Sequence, residues 1–411
     1  MIAHIRICHA PENWVIAAEK KFTSKNESAI INLAIRFFYL RRKIFMAGRD
    51  KIIFMPLGGA QEVGASCYYL KLGEHNFLLD CGTGQNNGVI FSPKFNAPVE
   101  ASYIQDLHQI SHVFISHAHL DHVAALPYFL ELNERATVYM TDFTFRITEL
   151  QLEQKLSLSM KQNISRVGFL QEIPIENLSV SFHQAGHIPG AMMTLFNFGG
   201  RKILYTGDYS TSATQLSAPA IFPDEEIDVL IICAVHARHS MHEKNHDAVR
   251  KILSKISQSI KRKRKVYCHV NQISKGVELI ALVSQYLPYT EIFIDERVMK
   301  TVRCFEEQHV PIMTVNTHPL TSTLKAPCVI FSTFPPQHLY HTDFVNCNFS
   351  LHDDFQSVVN LVERVNPKIC VVVHSPPDKK FYRTTIEQVI MKNPDSQTSF
   401  IFPELCQPFE I

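Results

Sequence analysis

Within six consecutive positions, His117-Ala118-His119-Leu120-Asp121-His122, stand four side chains able to ligate a metal. Imidazole nitrogens suit zinc, and a carboxylate among them lets two cations share one site. Histidine is frequent here, at 21 of 411 residues, yet this grouping would arise by chance in roughly 3 of 1,000 chains of such length. The bland alternative is a run of surface histidines at a helix start. Two further candidates follow. His187 stands in Ala185-Gly186-His187-Ile188-Pro189-Gly190-Ala191, and Asp208 closes Tyr205-Thr206-Gly207-Asp208. Each alone reads as a turn residue; joined to the histidine cluster, both read as ligands. His183, four positions before His187 along a strand, reads as structural.

The elements that must position these residues are short. An apolar strand over 113–115 leads directly into the cluster, and helical spacing follows over 123–132. A strand over 51–55 enters the Gly-rich bend Gly58-Gly59-Ala60-Gln61-Glu62-Val63-Gly64. Strands over 67–72 and 77–79 form a hairpin around Gly73 and end at Asp80-Cys81-Gly82. Strands recur over 178–182, 192–196 and 202–205, with Gly199-Gly200 turning the last pair. Strands and helices alternate without repeats, an α/β pattern.

Composition excludes several classes. Apolar types make up 46% and charged residues 19%, enough to bury a large core without disulfides. Lys plus Arg is 40 against 39 for Asp plus Glu, so bulk charge does not mark a nucleic-acid coat. No apolar run has the length of a membrane span. Ten cysteines with no C-x-x-C pair suit a reducing, cytoplasmic setting. Residues 1–45 differ from the rest: 30–45 are apolar and aromatic around Arg41, Arg42 and Lys43, with no acid. The pattern is not that of a signal peptide. It reads either as a basic amphipathic helix or, preferably, as sequence upstream of a start at Met46, untranslated or disordered.

The ordered set Asp80, His117-x-His119-x-Asp121-His122, His187 and Asp208 resembles the metallo-β-lactamase fold. The bend from Pro56 to Gly64 and Asp80-Cys81-Gly82 resemble its β-CASP branch, the RNA- and DNA-processing nucleases. The resemblance implies an αββα sandwich with a dinuclear metal site at its sheet edge. The best candidate for the last ligand is His374, in Val371-Val372-Val373-His374-Ser375, 166 positions after Asp208. An inserted α/β domain must lie between, here shortened. The implied division is 46–210 with 350–411 for the metallo-β-lactamase domain and 211–349 for the β-CASP insert. Phe349-Ser350-Leu351-His352-Asp353-Asp354 resembles the branch's motif B, with a helix over 358–365 linking His352 to His374. Within the insert, 268–287 and 292–307 each resemble a strand followed by a helix. Residues 399–402 resemble the closing strand of the first domain.

What the resemblance implies is two-metal hydrolysis of a phosphodiester in single-stranded RNA. His117, His119 and His187 would hold one zinc, and Asp121, His122 and His374 the other, with Asp208 bridging; manganese is an alternative. His352 would be the general acid, with Asp121 also in the catalytic set, and Asp80 would orient a ligand histidine from behind. The chain departs from the branch at motif A, where a Glu or Asp normally ends the strand that opens the insert: the strand is Val229-Leu230-Ile231-Ile232 and the position is Cys233. A neutral thiol cannot do a carboxylate's work of orienting and charging an imidazole. The branch's Ser-Ser/Gly-Met turn is also replaced, by Ser332-Thr333-Phe334-Pro335-Pro336.

Two weaker features remain. Lys261-Arg262-Lys263-Arg264-Lys265 reads as a phosphate-binding run or as a solvated helix end. His236, His239, His242 and His246 read as a polar loop or as phosphate or metal contacts, and His236 could partly replace the missing acid. The expected protein is a zinc-dependent ribonuclease; a homodimer is compatible with the sequence. Its rivals are a metal-loaded, catalytically weak RNA-binding scaffold and a small-ester hydrolase on the same fold. The length of the insert disfavours the second.

Overall fold

The computed structural model describes residues 7–10, 13–16, 51–152, 155–237, 245–321, 323–335, 341–376, 385–393 and 396–411. The chain divides into two units, Met1–Lys51 and Ile52–Ile411. In the first, Ile7–Ala10 pairs antiparallel with Asn13–Ile16; the other residues of the 1–45 extension lie outside the described residues.

The second unit is built on two seven-stranded sheets. The first runs, in spatial order, Ile164–Val167, Thr137–Thr141, His112–Phe114, His75–Leu79, Cys67–Leu72, Ile52–Gly58 and Phe409–Glu410. The second runs Glu172–Ile175, Leu178–Gln184, Met192–Phe198, Arg201–Tyr205, Val229–Cys233, Ile369–Val373 and Ser399–Ile401. Strand sequence explains the layering. In Ile52–Gly58, Ile52 and Phe54 face the second sheet, whereas Met55 and Leu57 face outward among apolar side chains. Strands apolar on both sides must be covered on both sides. Leu126–Leu132 and Asp142–Gln151 cover the first sheet, and Phe355–Val365 the second. The result is the αββα sandwich expected from the sequence.

Between the second sheet's fifth and sixth strands the chain makes a five-stranded, wholly parallel sheet: Thr317–Pro319, Ile292–Ile294, Cys328–Ser332, Lys265–His269 and Thr342–Val345. Helices Asn245–Lys261, Lys275–Tyr286 and Glu296–Glu307 accompany it. The strand Val229–Cys233 corrects the expected boundary at 211. It pairs in parallel with Arg201–Tyr205 and Ile369–Val373, so it belongs to the sandwich rather than to the insert. Its alternation fits: Val229, Ile231 and Cys233 face between the sheets, and Leu230 and Ile232 face the helical layer. The helical spacing over 123–132 resolves into two short helices, Leu120–Val123 and Leu126–Leu132, with Pro127 near the start of the second. Among the described residues, no helix is long and apolar enough to cross a membrane.

Candidate metal centre

Every candidate ligand sits just beyond the carboxyl end of a strand. The 117–122 loop follows His112–Phe114, His187 follows Leu178–Gln184, Asp208 follows Arg201–Tyr205 and His374 follows Ile369–Val373. Pairing the strands therefore gathers side chains that lie far apart in sequence, at the place where open sheets receive ligands. Close backbone contacts fix the loops: Ser66 N donates to Asp121 O at 2.8 Å and Cys81 N to His122 O at 2.8 Å. A Cβ on Gly82 would lie 1.7 Å from Asp121 O, so only glycine allows this approach.

Two groups result. Nitrogen and carboxylate atoms of His117, His119, His187 and Asp208 lie within 4.8 Å of one another, and so do those of Asp121, His122 and His374. His119 Nδ1 is 2.9 Å from His117 Nε2 and 3.2 Å from His187 Nε2. Asp208 Oδ2 is central: it lies 3.7 Å from His117 Nε2, 3.5 Å from His122 Nε2, 3.7 Å from His187 Nε2 and 3.6 Å from His352 Nδ1. Its Oδ1 is 3.9 Å from His374 Nε2, which is 3.7 Å from Asp121 Oδ2.

Electrostatics prepare these groups for a cation. Burial pushes His117 well below the ordinary imidazole range and His119 down to about 3, and it lowers His187 too. These rings are neutral and keep a lone pair. For His122 burial acts the same way, but Asp208, Asp80 and Asp121 outweigh it and raise its pKa well above the ordinary value. Burial would raise Asp208, yet His122 and His374 hold it well below the carboxylate range. Two buried atoms at the centre, His119 Nε2 and Asp208 Oδ1, have no hydrogen-bond partner. Orphaned acceptors cost free energy unless something meets them, and here their donor chemistry fits a divalent metal.

A second layer orients the ligands. Asp80 Oδ2 is 2.7 Å from His122 Nδ1 and accepts from Ser116 Oγ at 2.7 Å and Tyr205 OH at 2.5 Å, while Asp80 Oδ1 accepts from Ser116 N at 2.6 Å. Ser66 Oγ lies 2.8 Å from His374 Nδ1, Ser116 Oγ 3.0 Å from His117 Nδ1, and Leu351 O 3.2 Å from His187 Nδ1. Ser66, Ser116 and Tyr205 were not singled out in the sequence. The hint for each was adjacency: Ser66 follows the Gly-rich bend, Ser116 precedes His117 and Tyr205 opens the Asp208 motif.

The structure places the remaining candidates as follows. His352 is 25% exposed at its side chain and stacks near His187, with ring centroids 4.7 Å apart. Cys233 Sγ points between the sheets, 3.6 Å from Tyr205 OH. His236 lies beside His352, at 6.4 Å between ring centroids, with its Nε2 3.3 Å from Ser350 Oγ. His183 meets Ser181 Oγ at 3.0 Å, apart from the site. His246 contacts Arg250 at 3.2 Å; His239 and His242 lie outside the described residues. Lys261, Arg262 and Lys263 are exposed, Arg264 pairs with Asp343 at 2.6 Å, and Lys265 begins a strand. Ser332 Oγ and Thr333 N donate to Asp295 Oδ2, and Pro336 lies outside the described residues.

Fold and site together define a metallo-β-lactamase domain. Residues 60–256 match the model of the Metallo-beta-lactamase superfamily, and the chain carries that domain with relatives among the β-CASP nucleases. It is 28% identical over 255 residues to cleavage and polyadenylation specificity factor subunit 3 of Dictyostelium discoideum, covering 58% of this chain and 32% of that protein. It is 30% identical over 239 residues to the RNase J-like protein of Methanocaldococcus jannaschii, covering 56% of this chain and 54% of that one. The integrator complex subunit 11 homolog of Dictyostelium discoideum is 30% identical over 257 residues, covering 56% of this chain and 34% of that protein. The matches thus span about a third to a half of each relative's length. A solved protein of unknown function from Enterococcus faecalis V583 superposes with a TM-score of 0.59 at 12% identity, covering 88% of this chain and all of that one. At that identity the likeness concerns the fold alone.

Proposed function

We propose that this protein is a zinc-dependent ribonuclease acting on single-stranded RNA in the cytoplasm. The observation that carries the reading is the pair of ligand groups sharing a central carboxylate, with His119 Nε2 and Asp208 Oδ1 unsatisfied between them. The relatives' names, which include an RNase J-like protein, support RNA as substrate. Nine free cysteines support a reducing compartment.

His117, His119, His187 and Asp208 would hold one ion, and Asp121, His122 and His374 the second, with Asp208 shared. Divalent ions held there supply Lewis-acid polarisation of a phosphoryl oxygen and acidification of water. The chain's own residues do the rest. Asp80, fixed by Ser116 and Tyr205, keeps the His122 ring turned with Nε2 toward the centre. Ser66 and the Leu351 carbonyl do the same for His374 and His187. His352, open to solvent on one side and beside Asp208, is placed to deliver a proton to the leaving oxygen. The insert, residues 234–349, closes over the centre and frames a groove for a polymer. A metal-loaded scaffold that cuts poorly remains the second reading, favoured by the thiol at Cys233.

The test is metal analysis together with labelled single-stranded RNA, with and without chelator. About two zinc ions per chain and chelator-sensitive cleavage are expected. A metal-free protein that is stable and indifferent to chelator would overturn the reading. Bound metal with no cleavage would select the scaffold.

A further inference from the structure

Parallel sheets are normally covered on both faces. In the five-stranded sheet, Val266, Cys268, Ile292, Ile294, Val329, Phe331 and Val345 face the helices. The opposite face carries a row across the register, His318–Phe293–Ile330–Tyr267–Phe344, and among the described residues no helix packs on it. This face is aromatic and partly open. Phe344 is 54% exposed and packs on Tyr267 at 5.9 Å between ring centroids. Tyr267 OH donates to Phe334 O at 2.9 Å, and Phe334, 50% exposed, carries the Arg297 guanidinium 5.1 Å from its ring centre.

The basic run borders the same face. Asp343, the neighbour of Phe344 in the edge strand, pairs with Arg264 at 2.6 Å and feels the Arg262 guanidinium. Asp343 neutralises part of this charge, but Lys261, Arg262 and Lys263 remain exposed. Rings open to stacking beside unneutralised cations are the recognition chemistry of single-stranded nucleic acid, whose bases present flat faces and whose backbone is anionic. The edge strand Thr342–Val345 runs on to His352, eight residues beyond Phe344. The two are therefore at most about 29 Å apart along the chain.

We propose that this sheet face is a docking surface for single-stranded RNA, its bases stacking on Phe344 and Phe334 and its phosphates meeting Lys261, Arg262 and Lys263. The proposal rests on the reading of the protein as an RNA nuclease and adds a second contact, outside the metal centre, that holds long substrates.

The probe is a fluorescein-labelled 20-nucleotide oligo(U) with a cleavage-resistant phosphorothioate backbone, read by anisotropy. Hydrolysis of bis(p-nitrophenyl) phosphate, too small to reach the face, serves as control. Phe344→Ala and Phe334→Ala should each weaken oligo(U) binding about tenfold, with small-substrate hydrolysis unchanged. Arg262→Glu with Lys263→Glu should weaken binding and flatten its dependence on salt. Phe344→Tyr and Phe334→Tyr keep the ring and should bind as wild type; if they bind as poorly as the alanine variants, stacking is refuted. Unchanged oligo(U) affinity in all variants, while wild type still cuts RNA, overturns the docking surface alone. Wild type that neither binds nor cuts RNA overturns the nuclease reading with it. Alanine variants that keep RNA affinity but lose a protein partner would mark the face as a protein interface and refute the proposal.

Discussion

At the scale of single residues, the departure at Cys233 decides how fast the protein works. Burial pushes its thiol well above the ordinary range, and the carboxylates of Asp208 and Asp80 add to the effect, so it stays neutral. Burial also holds His352 well below the ordinary imidazole range, with Asp208 pulling the other way. A neutral His352 at pH 7 has no proton to deliver, so RNA cleavage should lean toward acidic pH. Cys233→Glu introduces a carboxylate at the strand end, and its longer side chain reaches beyond Tyr205. In metal-loaded protein it should raise the cleavage rate about tenfold, within the range of general acid catalysis. His352→Ala made on top of it should abolish the gain. An unchanged rate at full metal content would mean that this position does not act on His352.

At the scale of elements, the 117–122 loop is held by backbone contacts with the loop that ends the His75–Leu79 strand. Gly82→Ala drives a Cβ against Asp121 O, and backbone cannot rotate away as a side chain can. The expected outcome is a loss of several kcal/mol of stability (roughly 3 or more), together with lost metal, read by thermal unfolding and elemental analysis. Gly200→Ala, with nothing within 4 Å of the added Cβ, is the comparison: its positive φ of 78° should cost only about 1 kcal/mol. The ligand loop was legible in the sequence because His117 to His122 are contiguous, and His187 and Asp208 because each follows an alternating apolar strand. What sequence could not supply was pairing. Tyr205 and Ser116 meet Asp80 only because Arg201–Tyr205 and His112–Phe114 lie in facing sheets. The insert boundary was misplaced for the same reason. Val229–Cys233 reads as the first strand of whatever follows, and only its pairing with Ile369–Val373, more than a hundred residues on, assigns it to the sandwich.

At the scale of the molecule, the centre couples stability to metal and to protons. In the metal-free protein, His117, His119, His187 and His352 have lowered pKa values, against His122 alone among the ligands raised. A histidine near 6.5 when unfolded and near 3 when folded leaves the unfolded state with more protons between those values. Stability therefore falls as pH drops from about 6.5 toward 3. Chelated protein should melt progressively lower across that window, and zinc should raise the melting temperature at pH 7.5, where these rings are free to bind it. A melting temperature that is flat from pH 7 to 5 after chelation would contradict the balance of these shifts. Residues 1–45 belong to the separate unit Met1–Lys51. Their deletion should leave metal content and RNA cleavage unchanged, and aggregation or metal loss in the shortened protein would show that they support the sandwich.

The separation of His374 from the other ligands also sets an order of birth. His117, His119, His187 and Asp208 all leave the ribosome before the insert begins, so the first ligand group is complete early. The second waits for His374, 166 residues after Asp208, or roughly 8–33 s at about 5–20 residues per second. A growing chain can thus load its ions only one after the other. Until the whole insert has been translated, it carries half a centre and cannot cut the RNA from which it is being made.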